Sequence, residues 1–484
     1  MNRKLHQALL LVVLILAGFL RFYRLNEVPP GLHEDEATDG NDAWEAWRSG
    51  HLRVFYPENH GREGLLINLQ AAVLGLTGSH SPGALRWPGA MLGTLTVLGV
   101  YVLAREVVGE EVGLLAAFLL AISFWHINIS RFGTRPVAAP FFLVLSLALL
   151  WLAVRLWREG WRSGWGMALA CGVVYGLGFY TYTPYRLTPL LLLAVFVALK
   201  RDYLPRTVKN VGVIVLWTAC IVVLPLLLFA WRHPVEFFQR FETMPVWLTT
   251  NSVGELVSNT MRTAMMFLWA GDTNPLHNIP GRALLFWPVG LLFVLGLGVA
   301  VRRQRWLLAW IVIGLLPAII ANEGIPHSWR SILAAPPVFI VAAQCGVWLW
   351  EQARRSISLA ILQPAALVVC SLLVVEAYRS YFVTWANDPR VVERSDHELL
   401  GIAAQLNSLP RDPPKYVILT PDTVPDVPTV GGLPLAAQTI MYLTDTTAPE
   451  RQREKNLHYL LPNQTNEIAQ PYGCVVTIER AYAP

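Results

Sequence analysis

The sequence predicts an α-helical polytopic membrane protein with about eleven transmembrane helices. It also predicts interfacial helices in the first outer loop and a small α/β domain outside the membrane at the C-terminal end. Three observations carry this. The 484 residues are 54% hydrophobic and only 15% charged, too apolar for a surface facing water. Apolar stretches of near-membrane length recur up to about residue 376. After about residue 395 the pattern shortens into strand-like and amphipathic pieces.

A membrane-crossing helix needs about 20 apolar residues. Eleven stretches qualify: 5–22, 84–104, 111–129, 136–154, 165–181, 184–199, 211–230, 283–301, 306–321, 329–350 and 357–376. The shortest, 184–199, contains Pro184 and Pro189. Arg3 and Lys4 precede the first stretch as in a signal peptide, but it runs into Arg21-Phe22-Tyr23-Arg24 with no small-residue cleavage pattern, so a retained helix is expected.

Basic residues orient the chain. With a cytoplasmic N-terminus, alternate connections carry Arg105, then Arg155, Arg158 and Arg162, then Lys200, Arg201, Arg206 and Lys209, then Arg302, Arg303 and Arg305, then Arg354 and Arg355. Positive charge marks the cytoplasmic side. The first loop, 23–83, a second large loop, 231–282, and the tail then face outward, at a plasma or bacterial inner membrane. There is no basic run of the kind that binds nucleic acid.

The first loop carries the densest chemistry. Glu34, Asp35, Glu36, Asp39 and Asp42 fall within nine residues, and Glu58, His60, Arg62 and Glu63 follow. Residues 35–47 have helical spacing, with Asp35, Asp39 and Asp42 on one side and Trp44 and Trp47 free to meet the membrane interface. Gly50 ends that helix, and 64–76 reads as a second, apolar one. A carboxylate held beside a bilayer can act as general base toward a hydroxyl. Arg62, Arg131, Arg135, Arg186, Arg282 and Arg330 lie in or beside outer loops, against the charge rule. They either snorkel to lipid phosphates or share an anionic ligand, and for the set the ligand is favoured. Base, phosphate clamp and membrane groove together suggest displacement of a lipid-linked phosphate by an acceptor. Glycosyl transfer fits.

Metal binding is the competing reading of the same loop, with His33, Asp35 and Asp39, or His60 and Glu63, as hard ligands. The spacing matches no compact site, and no metal or other cofactor is expected. The five cysteines are scattered, with neither disulfide nor metal spacing. In the tail, 397–408 reads as a helix, Lys415-Tyr-Val-Ile-Leu-Thr and Cys474-Val-Val-Thr-Ile read as strands, and no catalytic motif stands out.

The motifs Gly31-Leu-His-Glu-Asp-Glu-Ala37, Gly61-Arg-Glu-Gly-Leu-Leu66 and Ser130-Arg-Phe-Gly-Thr-Arg-Pro136 occur in that order. Tyr180-Thr-Tyr-Thr-Pro-Tyr-Arg186, Asn274-Pro-Leu-His-Asn-Ile-Pro-Gly-Arg282 and Pro326-His-Ser-Trp-Arg330 follow. This arrangement over residues 1–380 resembles the GT-C superfamily of glycosyltransferases that use polyprenyl-phosphate sugars, nearest the protein O-mannosyltransferase and aminoarabinose transferase branch. The resemblance implies an inverting transferase without metal, acting at the outer face on a lipid, glycan or protein acceptor. Asp35 matches the catalytic base and Glu36 its companion. Donor or lipid-phosphate contacts fall to Arg62, Arg131, Arg135, Arg186, His277, Arg282 and Arg330, with Glu34, Asp39, His60, Glu63 and Tyr182 as further candidates. Where members commonly carry Lys-Pro-Pro, this chain has Arg62-Glu63-Gly64. The alternative is a transporter or flippase of lipid-linked saccharides. No internal repeat supports it, and charge gathers in the loops rather than the spans.

Overall fold

The computed structural model describes residues 3–243, 247, 252–419, 433–468 and 473–478. Helix α1 is Arg3–Phe22. Its side chains Leu11, Val12 and Ile15 stay about 60% exposed, which suits lipid and not water. The first loop then folds as α2 (Glu34–Ser49), a two-stranded hairpin of β1 (Phe55–Tyr56) and β2 (Arg62–Glu63), and α3 (Leu65–Thr77). Gly50 closes α2 at φ 71°, a left-handed position that suits glycine.

Helix α4 (Pro82–Val107) starts on Ser81, whose hydroxyl accepts the Ala84 N–H at 3.3 Å. Helices α5 (Glu110–Ala121) and α6 (Phe124–Arg131) form a broken pair bent by 60°, with Ser123 capping the second piece. Next come α7 (Ala138–Glu159), α8 (Trp161–Gly178), α9 (Thr188–Asp202) and α10 (Pro205–Arg232). The second large loop contains α11 (Pro234–Thr243) and α12 (Ser252–Met265); its residues 244–246 and 248–251 lie outside the described ones. Helices α13 (Trp287–Arg303), α14 (Arg305–Ile319), α15 (Ala335–Ser356) and α16 (Leu359–Tyr378) complete the membrane part.

All eleven predicted stretches are helical. Seven helices among the described residues are long and apolar enough to cross a membrane, or eight if the bent pair is one span. The count of eleven therefore rests on α8, α13 and α14, of 18, 17 and 15 residues. Helices α4, α7 and α15 form the interior, whereas the apolar stretch of α16 is not buried at all. This is a multi-pass membrane protein.

A short helix, α17 (Pro389–Arg394), leads into the C-terminal part: α18 (His397–Ser408), β3 (Lys415–Leu419), α19 (Leu435–Thr444), α20 (Pro449–Lys455), β4 (Leu457–Leu460) and β5 (Cys474–Ile478). The strands form a parallel sheet in the order β4-β3-β5, with Lys415 opposite both Leu457 and Cys474. Val417, Leu419 and Leu457 pack on Leu399, Ile440 and Met441 in a core of their own. Residues 420–432, 469–472 and 479–484 of the expected tail domain lie outside the described ones. The predicted helix and two strands are present; β4, α19 and α20 were not foreseen.

Candidate active site

Helix α2 is held from three sides, by α3, α4 and α19, and its acids meet very different surroundings. His33 caps it, Nδ1 accepting the Asp35 N–H at 3.2 Å. Glu34, Asp35 and Glu36 fill the first turn, where the helix dipole favours negative charge. Asp35, Asp39 and Asp42 share a face, as their spacing predicts. That face descends from solvent into the protein: the side chains are 52%, 3% and 1% exposed. Asp35 accepts a hydrogen bond from Asn59 Nδ2 at 2.7 Å. Asn59, His60 and Gly61 form the hairpin tip, all at positive φ. Trp44, expected at the membrane interface, is instead buried and stacked on His80 at 4.3 Å. A ring on the inward side of a helix clamped this way has no route to lipid.

Glu36 is fully buried. It accepts from Arg86 Nε at 2.8 Å, Arg86 Nη2 at 3.0 Å and the Gly133 N–H at 3.0 Å. Arg86 also donates to the carbonyls of Pro29, at 2.9 Å, and Gly31. The pair locks the turn before α2 to α4 and to the residues after α6. Sequence reading missed Arg86, which sits inside an apolar span with no motif around it. Glu34 is nearly buried as well, at 7%.

Arg62, from β2, lies between Asp39 and Asp42, with Nη1 2.5 Å from Asp39 Oδ1 and Nη2 on Asp42 Oδ2. Its Nε donates to the Glu58 carbonyl at 3.1 Å, and the side chain is 1% exposed. Two carboxylates thus share one guanidinium. Burial pushes both acids up, Asp42 to about 7, despite the pull of Arg62. An unfolded Asp titrates near 4. Between about pH 4 and pH 7 the folded state therefore holds a proton that the unfolded chain has lost, and this group's contribution to stability falls as pH rises through that window. Tm in detergent, read from pH 4.5 to 7.5, should decline less steeply in Asp42→Asn than in wild type.

Glu63 is the meeting point of three motifs. Its carboxylate accepts from Arg135 Nη1 at 3.1 Å, Arg186 Nη2 at 3.0 Å and Thr183 Oγ1 at 2.8 Å. Burial alone would raise Glu63, but Arg186, Arg135 and Thr183 outweigh it and hold the carboxyl below its usual range. Arg186 also lies over Phe237 of α11, 3.9 Å from the ring centroid. Tyr182 is buried just before the turn that carries Thr183 and Arg186. Glu63 thus ties both guanidinium groups to one carboxylate.

The other arginines have protein partners. Arg131 is fully buried, donating to the carbonyls of Leu20 at 3.0 Å and Tyr23 and Val28 at 2.7 Å. Arg282 donates to Ser380 Oγ at 2.6 Å, lies over Phe124, and lines a pocket with Glu376 and Leu373. Arg330 donates to the Glu323 carbonyl at 2.9 Å. The sequence offers lipid phosphate or a shared anion for these arginines, and the structure gives each a partner within the protein.

His277 belongs elsewhere. With Asp272 and His327 it forms a group whose ligand atoms lie within 4.8 Å of one another. Asp272 Oδ2 stands 3.0 Å from His277 Nδ1 and accepts the Ser328 N–H at 2.8 Å. Burial would raise Asp272, but His277, His327 and Ser328 hold it down at about 2. Burial and His277 keep His327 well below its usual range, hence neutral at pH 7. One carboxylate oxygen and two imidazoles suit a borderline divalent ion such as zinc. Neither metal set weighed from the sequence is this one.

Residues 65–229, about a third of the chain, match the family model of dolichyl-phosphate-mannose-protein mannosyltransferases. Comparison with curated protein sequences returned no match. Among solved structures, ArnT from Cupriavidus metallidurans bound to undecaprenyl phosphate aligns with a TM-score of 0.60 and 15% identity, over 96% of this chain and 90% of that one. Archaeal oligosaccharyltransferase AglB from Archaeoglobus fulgidus, in complex with an inhibitory peptide and a dolichol-phosphate, aligns with a TM-score of 0.57 and 13% identity, over 95% of this chain and 70% of that one. Other structures of the Archaeoglobus fulgidus oligosaccharyltransferase are covered over 62–65% of their length. The architecture is therefore the fold that the ArnT and AglB structures share, the GT-C fold. The mannosyltransferase match over residues 65–229 and the likeness to ArnT are resemblances to enzymes of that fold.

Proposed function

We propose that this protein moves a sugar from a polyprenyl-phosphate donor to an acceptor lipid, glycan or protein at the outer face of the membrane, with inversion. Asp35 is the general base. One observation carries that assignment: Glu34, Glu36, Asp39 and Asp42 are buried, Glu45 opens to solvent only at the far end of α2, paired with Arg53, and Asp35 is the one exposed acid of the first turn, beside the hairpin tip. Asp35 takes the proton from the acceptor hydroxyl as its oxygen attacks the anomeric carbon. The bond from that carbon to the phosphate oxygen breaks, and the polyprenyl phosphate leaves as an anion.

Arg135 and Arg186 are our candidates to receive that anion, because Glu63 fixes their two guanidinium groups beside one another in the outer-loop region. Arg282, at the polar edge of a largely apolar pocket, is a second phosphate contact. Arg62 and Arg131 leave the donor set, since both side chains are buried with their terminal nitrogens bonded to the protein interior. The bound lipid phosphates of the two similar structures support the donor class.

The test supplies purified protein with a panel of radiolabelled polyprenyl-phosphate sugars, with and without chelator. Transfer from one donor that survives chelation is expected, and names the sugar. Saturable binding of a lipid-linked saccharide without turnover would favour the transporter reading instead.

A further inference from the structure

The C-terminal part lies against the back of α2, nearly 400 residues away in sequence. Asn41 Nδ2 donates to the Gln438 carbonyl at 3.0 Å and to Gln438 Oε1 at 2.9 Å. Asn41 Oδ1 accepts from Thr447 Oγ1 at 2.7 Å. Thr439 Oγ1 donates to the Leu32 carbonyl at 3.1 Å, just ahead of α2. At the far end Arg48 pairs with Asp445, which Arg451 also holds at 2.5 Å.

Between these contacts sits Gly40, in the middle of α2. A glycine there costs about 1 kcal/mol against alanine, so its presence calls for a local reason. A Cβ at Gly40 would stand 2.6 Å from Tyr442 Cε2, 2.7 Å from Tyr442 Cδ2 and 3.1 Å from Leu85 Cδ2. Tyr442 is fully buried, in one apolar cluster with Leu32, Ala37, Ala43 and Leu85. The missing side chain lets α19 approach α2 at van der Waals distance. Because both ends of the seam are fixed by hydrogen bonds or ion pairs, neither sliding nor rotation of α2 is open to it.

We infer that α19 is a positioning element of the active site: the Gly40–Tyr442 contact, with Gln438, Thr439 and Asp445, sets the height and rotation of α2 and so where Asp35 points. This rests on Asp35 being the base. It gives the C-terminal part a role in the transfer step that needs no substrate contact of its own.

The experiment uses the full chain in lipid nanodiscs, with the donor sugar that the panel selects. Hydrogen exchange of residues 34–49 and the kcat and KM of transfer are read together for Gly40→Ala, Tyr442→Leu and the double variant. Gly40→Ala should speed exchange of α2. It should also lower kcat by about 10- to 100-fold, the scale of an ångström-sized displacement of a catalytic group, with donor KM within about 2-fold. Tyr442→Leu vacates the space the new methyl needs, so the double variant should recover most of both. Should Gly40→Ala fail to fold, Thr439→Val is read against Thr439→Ser, which keeps the hydroxyl that donates to the Leu32 carbonyl and should restore kcat. Wild-type kcat in Gly40→Ala, or a double variant no better than Gly40→Ala, would overturn the inference. Transfer surviving in Asp35→Asn would remove the base assignment alone and leave the exchange result standing.

Discussion

Asp35→Asn is expected to cut transfer by about 10²–10⁴-fold, the usual contribution of general acid–base catalysis, while Tm and donor binding stay at wild-type values. The side chain is half exposed, and the one hydrogen bond to it described above, from Asn59 Nδ2, can pass to an amide oxygen. Half of the side chain meets water and its contact with His33 is 3.8 Å long, so the substitution costs folding little and removes the carboxylate that receives the acceptor proton. Single-turnover transfer with a saturating donor measures the chemical step directly. If Asp35→Asn transfers at the wild-type rate, Asp35 is not the base, and Glu34, the least buried of its acidic neighbours in the first turn, becomes the next candidate.

Glu36→Gln should behave in the opposite way. Arg86 and Glu36 are both wholly buried, and removing the charge of one leaves the other uncompensated. Breaking a buried pair costs about 3–5 kcal/mol, a large share of the stability of any domain. The expected result is a large fall in Tm or in folded yield, read through the fluorescence of the chain's 19 tryptophans. Replacing both partners, Glu36→Leu with Arg86→Met, should be less damaging than Glu36→Gln alone, since apolar groups of similar volume need no partner. A stable but inactive Glu36→Gln would reverse this and make Glu36 part of the chemistry.

These two predictions separate neighbours that the sequence presents as a pair. Asp35 and Glu36 stand side by side in one acidic run, and the resemblance to GT-C enzymes assigns both to catalysis. On a helix, adjacent residues point about 100° apart. That places Glu36 against Arg86 and Gly133, and Asp35 beside Asn59 at the hairpin tip. The arginines show the same limit. Their position against the charge rule was visible in the sequence, but not the partner of each. Arg62 with Asp39 and Asp42, Arg135 and Arg186 with Glu63, and Arg131 with three carbonyls are contacts across roughly 20 to 120 residues.

Spans, the end of α2 and the position of the polar loop were legible because each depends on a local quantity: apolar length against bilayer thickness, or a glycine at a left-handed position. The joining of His327 to Asp272 and His277, the Arg86–Glu36 lock and the α2–α19 seam were not, because they join residues about 50 to 400 apart. No period or spacing records such a distance. Burial, which turns Glu34, Glu36, Asp39 and Asp42 into structural groups and leaves Asp35 as the open acid of the first turn, is a property of the packed whole. It arises only once α3, α4 and α19 have closed around the helix.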